Sequence, residues 1–405
     1  MIPMDEAISI VLANTQDIPG TDVSLMDALG RTLAADIRSD LDMPPFDKSA
    51  MDGYAVVGSD VESASAANPV RLEVVEEIPA GTVPRKSITV GKASRITTGA
   101  PIPKGADTVV IVEETQMGDD GRVSVLEATE PGRNVVPLGE DVRTGQKVLS
   151  VGTTVRPPEI GILAAMGAVT VPVLRQPVVG VVATGGEIVE PDCRPEAGQI
   201  RNSNGYSMSA QVTTAGASPR YLGIVEDRAE ALRDTISKGL DECDIVMLSG
   251  GVSAGVYDLV QGAMQDCGVE VLFDRILMKP GKPLTFGIRG EKLIFGLPGN
   301  PVSSVVGFEL LVRPCIRKMQ GMTPLHLPKV HGRLKQAFEQ RAGRKQFVPA
   351  CTTKDGGDYV AEWVGHHGSA DLFSFSRANS LFVIEADVDK QPEGSVVEII
   401  LLEAW

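Results

Sequence analysis

Apolar residues recur at helical spacing over residues 4–13, which predicts an amphipathic helix at the start of the chain. Ser24, with Asp27 three residues on and Gly30 behind it, predicts a second helix with a capping box and a glycine stop. After Pro44-Pro45 the pattern changes. Short Val/Ile segments (VRLEVVEEIPAG, DTVVIVEET, RVSVLEA) are broken by Gly and Pro at nearly every turn as far as residue 150, which predicts a β-rich region. Near residue 177 it changes again. PVVGVVATGGE reads as a buried strand running into a Gly turn, and a helix follows over 204–215, then a strand at YLGIV. Next come a helix capped by Asp227 with Glu230 at the capping-box spacing, a strand at DIVMLSGG, and a helix over 258–267 stopped by Gly268. Strands at VEVLF and KLIFGL lead into a helix over 301–320. This alternation predicts a doubly wound, mostly parallel α/β sheet. From about residue 325 short alternating strands return (YVAEWV, LFVIEA, SVVEIILLEAW) and predict a separate small β domain.

Composition narrows the function. The chain has 405 residues, 43% hydrophobic and 22% charged, which suits a multidomain globular protein and excludes disorder. Its 43 glycines and 27 prolines show no collagen period, so they mark turns and closely approached loops. The net charge of −15 with 4% aromatics excludes a general nucleic-acid or anionic-membrane binder. No apolar run reaches the ~18 residues of a membrane span, and the acidic start predicts a cytoplasmic protein without a leader. The five widely spaced cysteines lack a C-x-x-C, so neither a disulfide framework nor a zinc site is expected. His366-His367, the sole histidine cluster, is expected to be a solvated loop, which leaves carboxylates and lysines for chemistry. The charge is also uneven. Residues 1–150 hold 24 acids and 13 bases, whereas residues 275–345 hold 14 bases and 3 acids, a stretch suited to a small phosphorylated ligand or an oxyanion.

Three loops sit at predicted strand ends, where open α/β sheets bind ligands. They are Thr184-Gly185-Gly186-Glu187, the run from Ser249, Gly250 and Gly251 through Ser253 to Gly255, and Leu297-Pro298-Gly299-Asn300-Pro301. Paired glycines let backbone N–H groups approach an anion, and Asn300-Pro301 reads as a helix cap and first helical position. None is a Walker or dinucleotide motif, which argues against a GTPase, kinase or dehydrogenase. Lys279-Pro280-Gly281-Lys282-Pro283 sets two point charges on a stiff turn, suited to a phosphate or oxyanion. Asp52, Asp141, Glu187, Asp227 and Asp258 occupy loop positions, where carboxylates beside phosphates imply a bridging Mg²⁺.

Together PPFDKSAMDGYAV, RITTGAPIPKGADTVV, GEDV, ATGGEIV, LSGGVSAG, MKPGKP and LPGNPVS resemble the molybdopterin molybdenumtransferase family (MoeA and the E domain of gephyrin). The resemblance implies an elongated linking domain from residues 1–45 with 142–176, a β-rich domain over 46–141, a molybdopterin-binding α/β domain over 177–324 and a β-barrel-like domain over 325–405. It implies an enzyme that takes adenylated molybdopterin and molybdate (or tungstate), releases AMP with Mg²⁺ assistance and works as a homodimer. An adenylyltransferase would supply the substrate. Catalytic positions would be Asp52, Asp141, Glu187, Asp227 and Asp258, with Glu187 and Asp258 toward the metal. Substrate-binding positions would be Thr98, Ser249, Gly250, Gly251, Ser253, Lys279, Lys282, Pro298, Gly299, Asn300, Pro301, Arg344 and Ser376. Three departures stand out: Asn134–Leu138 replaces an arginine-bearing run, Val256 an acidic residue, and Gly186 an Asp or Asn. They bear on the metal site and motivate one alternative, a non-catalytic molybdopterin carrier or scaffold.

Overall fold

The Val- and Ile-rich segments after Pro45 pair into a six-stranded sheet, as their alternation predicts. Its order is Thr108–Ile111, Gly53–Val56, Lys92–Ile96, Ser65–Ile78, Arg122–Glu127 and Thr115–Met117. Period-two alternation sends Tyr54, Val56 and Val110 into one apolar cluster and Ala55 and Val109 into another. The computed structural model describes residues 1–250, 257–365 and 368–402, the side chains of Tyr257 and Asp258 excepted. It forms two compact units, one holding this sheet within residues 24–26 and 35–171, the other holding 1–23, 27–34 and 172–405. In the first unit, helix Pro157–Ala165 begins on a double proline. Glu159 accepts hydrogen bonds from the Arg156 backbone N–H at 2.9 Å and from its guanidinium at 2.7 Å. Those contacts hold the carboxyl down at about 2.

The helix expected after Ser24 does not form. Gly20–Ser24 is a strand, followed by a single 3-10 turn over Met26–Ala28. Ser24 and Gly30 bracket only residues 25–29, little more than one turn, which is too short to offset the cost of helix nucleation.

In the second unit the α/β sheet runs Ser218–Val225, Val178–Thr184, Ile245–Ser249, Lys292–Leu297, Pro283–Arg289, Glu270–Arg275. The first four strands are parallel, and the last two are antiparallel additions. Ile245 and Met247 face a core with Met208, Val212 and Ile316, while Val246 and Leu248 face one with Leu232, Ile236 and Met264. Burial on both faces explains why these strands read as continuous apolar runs. Pro283–Arg289 escaped that reading because Pro283 and Gly287 interrupt its apolar run.

The helix expected over 301–320 forms in three pieces: Pro301–Gly307, a π-helical turn over Phe308–Val312, and Arg313–Met319. The π turn carries Glu309, which pairs with Arg313 at 3.5 Å, both buried. In the tail, Lys329–Leu334, Lys345–Asp355, Asp358–Trp363, Ser380–Ile384 and Val396–Leu401 close into a five-stranded barrel around Val348, Phe382 and Ile399. Met278–Lys279 adds to it in parallel, with Lys279 opposite Gln346. No helix among the described residues is long and apolar enough to cross a membrane.

Candidate active site

The parallel register brings the strand ends to one edge: Thr184 lies opposite Val225, Ala183 opposite Ser249, and Ser249 opposite Leu297. The loops that leave these ends therefore emerge side by side. Gly250 sits at φ +106°, and a Cβ there would lie 2.2 Å from the Thr184 carbonyl oxygen, so only glycine lets the loops pack this closely. The antiparallel hairpin brings in the lysine turn. Thr285 pairs with Gly296, so Lys282, just before the first strand, comes beside Pro298, just after the second.

These elements enclose a cavity of about 1010 Å³ within the second unit. Eleven expected residues line it: Glu187, Asp227, Ser249, Gly250, Lys279, Lys282, Pro298, Gly299, Asn300, Pro301 and Arg344. The arrangement has two polarities. Lys279, Lys282 and Arg344 supply cationic donors, and neither lysine has a carboxylate partner among the described residues.

Glu187 and Asp227 supply the negative side. A Cβ on Gly185 would lie 2.6 Å from Glu187 Oε2, so this glycine makes room for the carboxylate. Burial, and then the nearby charge of Glu187, raises the Asp227 pKa above the ordinary carboxylate value. Asp227 is therefore not the expected helix cap. The helix spans Ala229–Glu242, with an extended Arg228 at the cap position and no side-chain cap bond. Asp227 Oδ1 is buried without a hydrogen-bond partner. No group of three or more potential metal-ligating side chains occurs among the described residues. An unpartnered carboxylate oxygen beside a second carboxylate does fit a hydrated divalent cation, which needs only one or two protein carboxylates.

Asn300 takes the expected cap position before Pro301, but its Nδ2 donates to Ser369 Oγ at 2.7 Å instead of its side chain capping the helix. Ser369 lines the cavity, whereas Ser376 does not; Ser376 ends helix Leu372–Phe375 and donates to the Phe373 carbonyl. Ser369 is thus the serine that meets Asn300 at the cavity wall. Asn204 was also missed. It opens helix Asn204–Thr214, and its Nδ2 donates to Ser249 Oγ and to the Gly299 carbonyl, both at 2.7 Å, tying two loops together. An asparagine near a helix start is common, and nothing local in the sequence distinguishes this one.

Asp52, Thr98 and Asp141 belong to the first unit. Asp52 Oδ1 accepts from Thr98 N at 2.6 Å and Thr98 Oγ1 at 2.8 Å, and these bonds hold its carboxyl below the usual range. No hydrogen bond or ion pair joins Asp141 to either residue; its backbone N–H donates to the Met43 carbonyl at 3.0 Å. Gly251, Ser253, Val256, His366 and His367, with the Asp258 side chain, lie outside the described residues.

Comparison with known proteins divides the chain into three matched regions. Models of the MoeA N-terminal region (domain I and II), a probable molybdopterin binding domain and the MoeA C-terminal region (domain IV) match residues 2–167, 180–318 and 331–402. The chain belongs to the molybdopterin molybdenumtransferase (MoeA) family. Within that family, the molybdopterin molybdenumtransferase of Bacillus subtilis is 36% identical over 99% of this chain and 94% of its own length. That of Nostoc is 39% identical over 89% and 84%. A crystal structure of the molybdopterin biosynthesis MoeA protein from Pyrococcus horikoshii covers all of both chains at 33% identity, with a TM-score of 0.86. The cavity lies among the loops of the segment matched by the molybdopterin binding domain and reaches the barrel at Arg344, Gln346 and Ser369.

Proposed function

We propose that this chain, an enzyme of molybdenum cofactor biosynthesis, inserts molybdate into adenylated molybdopterin with release of AMP, assisted by Mg²⁺. The observation that carries this reading is one cavity lined both by three cations and by two interacting carboxylates. Cleaving a phosphoanhydride asks chiefly for alignment and charge stabilisation. Lys279, Lys282 and Arg344 would hold the phosphates and the incoming oxyanion, with the loop backbone at Gly250 and Gly299 close against them. Glu187 and Asp227, with Asp258, would hold Mg²⁺, which when bound supplies charge neutralisation at the phosphate oxygens. Family resemblance further supports a homodimer fed by an adenylyltransferase, in the cytoplasm.

The test is direct. Purified protein with adenylated molybdopterin and Mg²⁺ is expected to release AMP when molybdate is added, and to stop when Mg²⁺ is chelated. Tight substrate binding with no AMP release would leave the carrier or scaffold reading in its place.

A further inference from the structure

Two buried carboxamides in the cavity wall keep an enclosed oxygen without a donor. Asn204 is 8% exposed, and its two donated bonds fix its Oδ1 as an acceptor that accepts nothing. Gln346 is 4% exposed, and its enclosed Oε1 has no hydrogen-bond partner among the described residues. Buried side-chain amides are nearly always paired. An unpaired amide oxygen in the wall of a ligand-sized cavity can accept a hydrogen bond from a ligand held there.

The chemistry of that group follows from the neighbours. Gln346 is the strand partner of Lys279, and Arg344 stands two positions before it, so a neutral amide sits among cations that line the same cavity. A tetrahedral oxyanion accepts hydrogen bonds and is better served by the lysines and the arginine. It offers nothing to an amide carbonyl. A carboxamide presents a donor and an acceptor side by side, whichever way its ends are assigned. Its complement is a heterocycle edge with an adjacent acceptor and N–H donor, the pairing by which Gln reads adenine in nucleic acids. Adenylated molybdopterin carries two such edges, the lactam edge of the pterin and the amino–ring nitrogen edge of the adenine.

We propose that Gln346 is a specificity-determining residue that pairs with the donor–acceptor edge of the substrate's heterocycle, while Lys279, Lys282 and Arg344 hold its anionic part. This rests on the substrate class proposed above. The experiment is calorimetric titration of the full-length protein and of Gln346→Met with AMP, with a 6-substituted pterin and with molybdate alone. Gln346→Met is expected to weaken either AMP or the pterin about tenfold or more and to leave molybdate binding within about twofold. Loss of AMP affinity assigns the adenine edge; loss of pterin affinity assigns the pterin. Unchanged affinity for both heterocycles overturns the proposal, as does a loss confined to molybdate. Should the variant fail to fold, the unmutated protein is titrated with a purine ribonucleotide lacking the 6-amino group and a pterin lacking the 4-oxo group. Equal affinity for both truncated ligands again overturns it. Because these readouts are binding and not turnover, failed AMP release would count against the enzyme reading and leave this one standing.

Discussion

Asp227 illustrates how one side chain can work against the fold it belongs to. Its carboxylate is half-buried beside Glu187, with one oxygen enclosed, so its folded pKa lies above the unfolded value near 3.8. Between those two values the native state binds more protons than the unfolded chain, and stability falls as pH rises through the window. Asp227→Asn removes that penalty. The variant is expected to unfold at a higher temperature than the parent at neutral pH without ligand. Its unfolding temperature should also lose its rise toward low pH, as followed by circular dichroism from pH 7 to 4. Its AMP release should fall by about 10²- to 10³-fold, the scale of losing a charge-stabilising group in an active site. A gain in stability with a loss of turnover marks a residue kept for chemistry. A loss of both would assign Asp227 to structure.

At the scale of elements, the loops depend on glycines more than on the polar residues beside them. Gly250→Ala is expected to destabilise the protein by about 2 kcal/mol or more, because the methyl meets the Thr184 carbonyl at 2.2 Å and φ stays at +106°. Denaturant titration measures the loss, and AMP calorimetry should show weakened binding. The same loops explain what was readable beforehand. Thr184–Glu187, Ser249–Gly250, Pro298–Pro301 and the Lys279–Lys282 turn each announce themselves locally, through glycine or proline at the end of an apolar run. The first three converge through parallel register, and the antiparallel hairpin adds the lysine turn. Asn204, Gln346 and Ser369 announce nothing. Their importance comes from partners far along the chain, such as Ser249 and Gly299 for Asn204, or Asn300 for Ser369. The Ser24 turn was misread because a four-residue capping pattern says nothing of whether the segment it opens is long enough to hold a helix. Asp227 was read as a cap from an equally local pattern: its spacing to Glu230 is right, but the helix begins at Ala229 with Arg228 at the cap position.

Across the whole molecule, the total of −15 hides a distribution that matters more. The acidic surplus repels anions at long range, while the cavity attracts them at short range through Lys279, Lys282 and Arg344. Exposed Lys279 and Lys282 feel added salt most. Raising ionic strength from about 0.01 to about 0.15 M, which shortens the Debye length from about 30 to about 8 Å, is expected to raise KM for the adenylated substrate several-fold. The turnover number should change little, as steady-state AMP release can show. A turnover number that fell in step with affinity would place the salt effect on the chemical step.

The hairpin Pro283–Leu297 also bears on how the protein can change over generations. Because its two open ends carry Lys282 and Pro298, the strands act as a spacer of fixed length between the cationic turn and the loop opposite. A single inserted residue in either strand would slide that strand by about 3.4 Å and turn its side chains to the wrong face. The bend at Gly290-Glu291 lies at the other end. Length changes there leave the spacing untouched, so the bend can absorb insertions that the strands cannot.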